Sequence, residues 1–110
     1  MNKKEFIEFI KTIDSRGMEL LCAKGDDYAD SENVFGNFER MSKKIKDVMG
    51  KDLSPAEFAL ALALLKIDRI QNLRGQEKEP KNESLYDSLV DLLNYIKIFA
   101  GIIYFEKNHD

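Results

Sequence analysis

The stretch Ser54-Pro55-Ala56-Glu57-Phe58-Ala59-Leu60-Ala61-Leu62-Ala63-Leu64-Leu65-Lys66-Ile67-Asp68-Arg69 decides the fold class. Its first four residues spell a capping box. Ser54 at the N-cap accepts a backbone N–H from the third helical residue, Glu57 there reaches back, and Pro55 takes the first helical position, where no N–H is needed. The run that follows alternates Ala and Leu, the two strongest helix formers. From Phe58 to Leu65 every residue is apolar, and a helix apolar on all sides is buried on all sides. The pattern therefore predicts a buried central helix that ends near Gly75.

Working outward, Phe35, Phe38, Met41, Ile45 and Val48 recur at helical spacing, which predicts a helix over Val34 to Met49 with Gly50 closing it. Further upstream, Phe6, Ile7, Ile10, Ile13, Met18 and Leu21 predict a first helix over Asn2 to Ala23. Gly17 is its weak point, about 1 kcal/mol worse than Ala in a helix interior. Lys24 to Asn33 is polar and rich in Gly and Asp, and reads as an ordered loop. Downstream, Gln76 to Lys81 is a charged loop, and Asn82 or Ser84 caps a fourth helix from Glu83 to Lys107. Its core stripe would be Leu85, Leu89, Leu92, Leu93, Ile96, Phe99 and Ile103. Ile98, Ile102 and Phe105 would form a second stripe, suited to a symmetric partner. No segment alternates apolar and polar residues, so no sheet is expected. The fold class is all-α: a single domain over 1–110, a four-helix bundle-like arrangement with a buried central helix.

Composition narrows the function classes. A chain of 110 residues with 44% hydrophobic residues can fold as one domain. One cysteine, Cys22, excludes an internal disulfide and a Cys-rich zinc site, and reads as a small buried hydrophobe. One histidine, His109, excludes His-based metal sites and Ser-His-Asp triads. A net charge of −3 gives no reason to expect DNA binding. The charged N-terminus lacks a signal-peptide core, and the stretch Leu92 to Phe105 is too short to span a bilayer. The expected location is the cytoplasm, with no membrane partner.

Chemistry is expected where charge interrupts the buried pattern. Lys66 and Arg69, three residues apart, share a face of the central helix. Glu83, Asp87 and Asp91 stack four apart along the fourth helix, extended by Asn94 and Tyr95. The third cluster is Lys24-Gly25-Asp26-Asp27-Tyr28 followed by Asn37, Phe38 and Arg40. Lys24, Arg40, Lys66 and Arg69 are candidate phosphate ligands, and Tyr28, Phe38 and Tyr95 are candidate platforms for a base. The plainer reading of Lys66 and Arg69 is that they pair with Asp87 and Asp91 across adjacent antiparallel helices.

At these residues the chain resembles the nucleotide-modification-associated domain family of small phage and bacterial proteins. The resemblance rests on KGDDYADSENVFGNFERMSK, ALLKIDRIQN and ESLYDSLVDLLNYIKIFAG, and covers roughly residues 20–103. Lys24, Asp27, Tyr28, Asn37, Phe38, Lys66, Arg69, Asp87, Asp91 and Tyr95 match its pattern in order. Ala29 departs from it, standing where the family often has Gly. A more distant similarity is to the all-α, MazG-like nucleoside triphosphate pyrophosphatases. Those hold Mg²⁺ with carboxylates from two helices. Here the acidic half survives as Asp87 and Asp91, while Lys66 and Arg69 replace the other half. Cations there repel Mg²⁺ and attract phosphate directly.

Three functions compete. The first is a phage-type, non-catalytic binder of a nucleotide or nucleotide-derived signal, needing no cofactor and able to sequester a host defence messenger. The second is a Mg²⁺-dependent pyrophosphohydrolase with Glu83, Asp87 and Asp91 as ligands and Glu57 or Asp68 completing the shell. The third is a protein-binding inhibitor module. A homo-oligomer is expected in each case, from the apolar circumference of the last helix.

Overall fold

Four helices follow one another along the chain: Lys3–Tyr28 (α1), Gly36–Met49 (α2), Pro55–Arg74 (α3) and Leu85–Asn108 (α4). The structure is a computed structural model that describes the backbone of residues 1–28, 33–75 and 84–108, with side chains for all of these except 24–28. Among the described residues there is no strand, and the fold is all-α.

The helix boundaries follow local chemistry. At α3 the capping box is complete: the Glu57 backbone N–H donates to Ser54 Oγ at 3.1 Å, and the Ser54 N–H donates to Glu57 Oε1 at 3.0 Å. Gly50 closes α2 in the left-handed region, at φ 67°, and its N–H donates to the Lys46 carbonyl. The Ser84 hydroxyl caps α4 by accepting the Asp87 N–H at 3.0 Å. Asn82 and Glu83 lie outside the described residues. α2 starts at Gly36 rather than Val34, because the Asn33 side chain accepts the Phe35 N–H and forms a turn there. α1 runs on through the segment read as a loop, as far as Tyr28. Each residue added to an existing helix gains a hydrogen bond, and the single Gly25 costs too little to stop it.

α3 and α4 form the principal pair, with α2 on α3 and α1 on α4. The core joins Phe38, Ala56, Ala59 and Ile102, flanked by Phe35, Phe58, Leu62, Ile98, Phe99 and Ile103. Phe38 meets Phe58 edge-to-face at 5.9 Å, and Phe35 meets Phe105 at 5.8 Å. Beyond Phe38, α2 is tied to the segment before α3, with Ser42 donating to the Leu53 carbonyl and Lys46 paired with Asp52 at 2.9 Å.

α1 crosses α4 at a polar notch. Ile13 and Gly17 are buried there, and Asn94 Nδ2 donates to the Gly17 carbonyl at 3.1 Å. A Cβ on Gly17 would sit 2.9 Å from Asn94 Oδ1. The weak point of the sequence pattern is thus the contact that lets α1 approach α4.

Burial corrects four expectations. α3 is not buried all round: Leu64 and Leu65 are 64% and 65% exposed. Its buried side is lined by Ala56, Ala59, Ala63 and Leu73, with Leu62 beside the core, while Leu60, Leu64 and Leu65 point away. On α4 the expected core residues Leu89, Leu93 and Ile96 are exposed, and Ser88, Val90, Asn94 and Ile102 are buried instead. Two residues of the proposed second stripe are core, Ile102 buried and Ile98 packed beside it, while Phe105 stays 48% exposed with its ring against Phe35. Cys22 is exposed, not buried.

α4 also corrects the membrane estimate. The whole helix has 24 residues, with mean hydropathy 1.5 over its most apolar window, and by length and composition it could cross a membrane. Two of its polar residues are engaged with neighbours instead, Asp91 with α3 and Asn94 with α1.

Candidate functional site

The ion pair between α3 and α4 is the feature that the charge pattern anticipated. Lys66 Nζ lies 3.2 Å from Asp91 Oδ2, and the two side chains are only 21% and 19% exposed. Both residues sit in helix interiors, so their backbones are satisfied and only the side chains select the register. With Ala59 and Ile102 packed together at one end and Lys66 and Asp91 paired further on, α3 and α4 are antiparallel. The plainer reading of the cations therefore holds for Lys66.

Arg69 follows on the same face of α3, half-buried, with its Nε atom enclosed. On α4, Asp87 is exposed one turn before Asp91, and Tyr95 is half-buried one turn after it. Lys66 and Asp91 thus line the α3–α4 seam, with Arg69 and Tyr95, both half-buried, about one turn away on their own helices.

The described candidates on α2 stand elsewhere. Phe38 is 6% exposed and belongs to the core, so it cannot stack on a ligand. Asn37 is half-buried and Arg40 exposed on α2. α2 meets α3 at Phe58, eight residues or about 12 Å from Lys66 along the helix. From Phe38 onward α2 runs toward Leu53, which carries Arg40 away from Lys66. The Arg40 guanidinium lies over Gly36 instead, 3.4 Å from where a Cβ would stand. The side chains of Lys24 and Tyr28, and Glu83, lie outside those described.

No group of three acidic, His or Cys residues among the described ones is arranged to hold a metal ion. Asp91 faces the Lys66 ammonium. Glu57, offered as a fourth ligand, is engaged in the capping box, and the Ser54 backbone N–H, helped by the Ser54 hydroxyl, holds its carboxyl below the ordinary glutamate range. Asp68 is exposed on α3.

Asn94 has a structural role that residue type alone did not reveal. It is 6% exposed, its amide holds α1, and its Oδ1 has no hydrogen-bond partner among the described residues. The signal was available in the sequence as a polar residue between the apolar positions Val90 and Ile98. No protein-family model, no curated protein and no solved structure matches this chain.

Proposed function

We propose that the chain binds the phosphate of a nucleotide or nucleotide-derived signal, without turning it over, at the α3–α4 seam. The observation that supports this most is the pairing of two cations, Lys66 and Arg69, on one half-buried face, with Asp91 orienting the Lys66 ammonium. A seam of low polarity strengthens a charge-assisted hydrogen bond, and a guanidinium grips phosphate with two parallel N–H groups. Tyr95, a turn beyond Asp91, offers a ring for the base, a contact worth about 1–3 kcal/mol where a base stacks fully.

A thermal-shift panel of mono-, di-, tri- and cyclic nucleotides, with and without Mg²⁺, tests this. Ligand at a hundredfold its Kd stabilises by about 2.7 kcal/mol, so a rise of several degrees is expected from at least one nucleotide in the absence of metal. Arg69→Gln should abolish the rise while the unliganded melting temperature stays measurable. No shift from any nucleotide would refute the proposal. A shift or product formation seen only with Mg²⁺, and lost on chelation, would favour a metal-dependent hydrolase instead.

A further inference from the structure

α1 runs for 26 residues and is enclosed along little of that length. Among the described residues its principal neighbour is α4. Ile13 is the one buried side chain among those described on α1, with Leu20 and Leu21 half-buried. Phe6, Ile7, Phe9, Ile10 and Met18 are all exposed. Apolar stabilisation scales with the area taken from water, so docking α1 gains little of it. The other three helices are held differently. Phe38, Ala56, Ala59 and Ile102 join α2, α3 and α4 in one core, to which no described residue of α1 belongs.

The polar ties of α1 to α4 are incomplete. Asn94 Nδ2 donates to the Gly17 carbonyl at 3.1 Å. Lys97 stands 3.9 Å from Asp14, with side chains 42% and 59% exposed, and an ion pair so open to water adds little. Asn94 itself is buried, and its Oδ1 has no hydrogen-bond partner among the described residues. A buried acceptor without a donor forfeits the bond that water would give it. α1 lies directly against that atom: a Cβ on Gly17 would stand 2.9 Å from it. Docking α1 therefore makes one hydrogen bond and isolates one acceptor at the same amide.

We infer that α1 is a detachable arm: it leaves α4 as a unit while the core of α2, α3 and α4 stays folded. Segments that open below the free energy of global unfolding are those with few buried apolar contacts, and α1 is such a segment. Its departure uncovers Ile13, gives up the Asn94–Gly17 bond and lets water reach Asn94 Oδ1. Docked and released α1 are then two states of one chain, and a ligand or partner with unequal affinity for them shifts the balance. The Lys66–Asp91 pair joins α3 to α4 and is kept in both states, so the inference does not rest on the proposed nucleotide site.

Amide hydrogen exchange on the full chain, followed residue by residue by NMR along a urea series below the unfolding transition, tests the inference. A helix released from its neighbours is marginal in water, so its amides exchange once it leaves. Amides from Ile13 to Leu21 should exchange about tenfold or more faster than those from Ala59 to Leu65 of α3, with a shallower dependence on urea. A conservative change in the core separates the two openings. Ile102→Val destabilises docked and released states alike, so it should speed exchange in α3 by about two- to tenfold and leave Ile13 to Leu21 unchanged. One common rate and one common urea slope for α1 and α3 would overturn the inference. So would equal acceleration of both by Ile102→Val, or fast exchange confined to the residues before Ile10, which is fraying of a helix end and not release of the arm.

Discussion

Gly101→Ala should change the sign of its effect with the size of residue 35. Gly101 lies in the interior of α4, where Ala in place of Gly ordinarily stabilises by about 1 kcal/mol. Here the added Cβ would stand 2.9 Å from Phe35 Cζ and 3.5 Å from its Cε1. Carbon atoms rest at about 3.5–4.0 Å, so the ring must retreat by at least half an ångström. It is poorly placed to do so. Phe35 is held edge-to-face against Phe105 at 5.8 Å, packs on the core around Phe38, and has its own N–H tied to Asn33 Oδ1. Overpacking of this kind costs about 1–3 kcal/mol, which leaves a net loss of about 0–2 kcal/mol after the helical gain. In a Phe35→Leu background the Cζ atom is gone and the same substitution should stabilise by about 0.5–1 kcal/mol. Urea unfolding followed by far-ultraviolet circular dichroism on the four proteins, at one fixed chain concentration, measures the cycle. An equal stabilisation of about 1 kcal/mol in both backgrounds would show that Phe35 does not contact Gly101, and would refute the packing of α4 on the segment before α2.

Lys66→Ala and Asp91→Ala should couple by about 1–3 kcal/mol in a double-mutant cycle, because either single change strands a mostly buried charge; additive effects would show that the α3–α4 register is wrong. Gly17→Ala, which in an unobstructed helix would stabilise, should lower the melting temperature, since its Cβ displaces the Asn94 amide from the Gly17 carbonyl; a raised melting temperature would remove the polar notch from the account. The Glu57 carboxyl is held below its ordinary value by Ser54, so its contribution is present above the unfolded glutamate value of about 4.3 and is lost as pH falls through the lower folded value. Glu57→Gln should therefore flatten the fall in melting temperature at acid pH, and an unchanged pH profile would refute the assignment. Leu65→Ala should cost under about 1 kcal/mol, well below the 2–5 kcal/mol of a buried leucine, since Leu65 is 65% exposed; a larger loss in chemical denaturation would restore the buried central helix.

The local signals in the chain decided the helices themselves. Ser54, Pro55 and Glu57 start α3, Gly50 ends α2, and Ser84 starts α4, because capping is a matter of three or four consecutive residues and their backbone. The all-α class followed from the same patterns. The charge pattern also foresaw a cation of α3 meeting an aspartate of α4, since buried charges of opposite sign on neighbouring helices have no better partner. What composition did not contain was which side of each helix has a neighbour. The Ala-Leu run of α3 is apolar in every direction, yet a helix is covered only where another element reaches it, and among the described residues α4 and α2 are its principal neighbours. Ala56, Ala59 and Ala63 took those contacts and Leu60, Leu64 and Leu65 were left outside, an outcome set by how closely helices approach over small side chains. Likewise Phe38 and Arg40, two residues apart on α2, were both candidates for a ligand. Only the packing of α2 on Phe58 sent one into the core and the other away from Lys66, because a helix turns about 100° per residue and its docking angle decides what each turn faces.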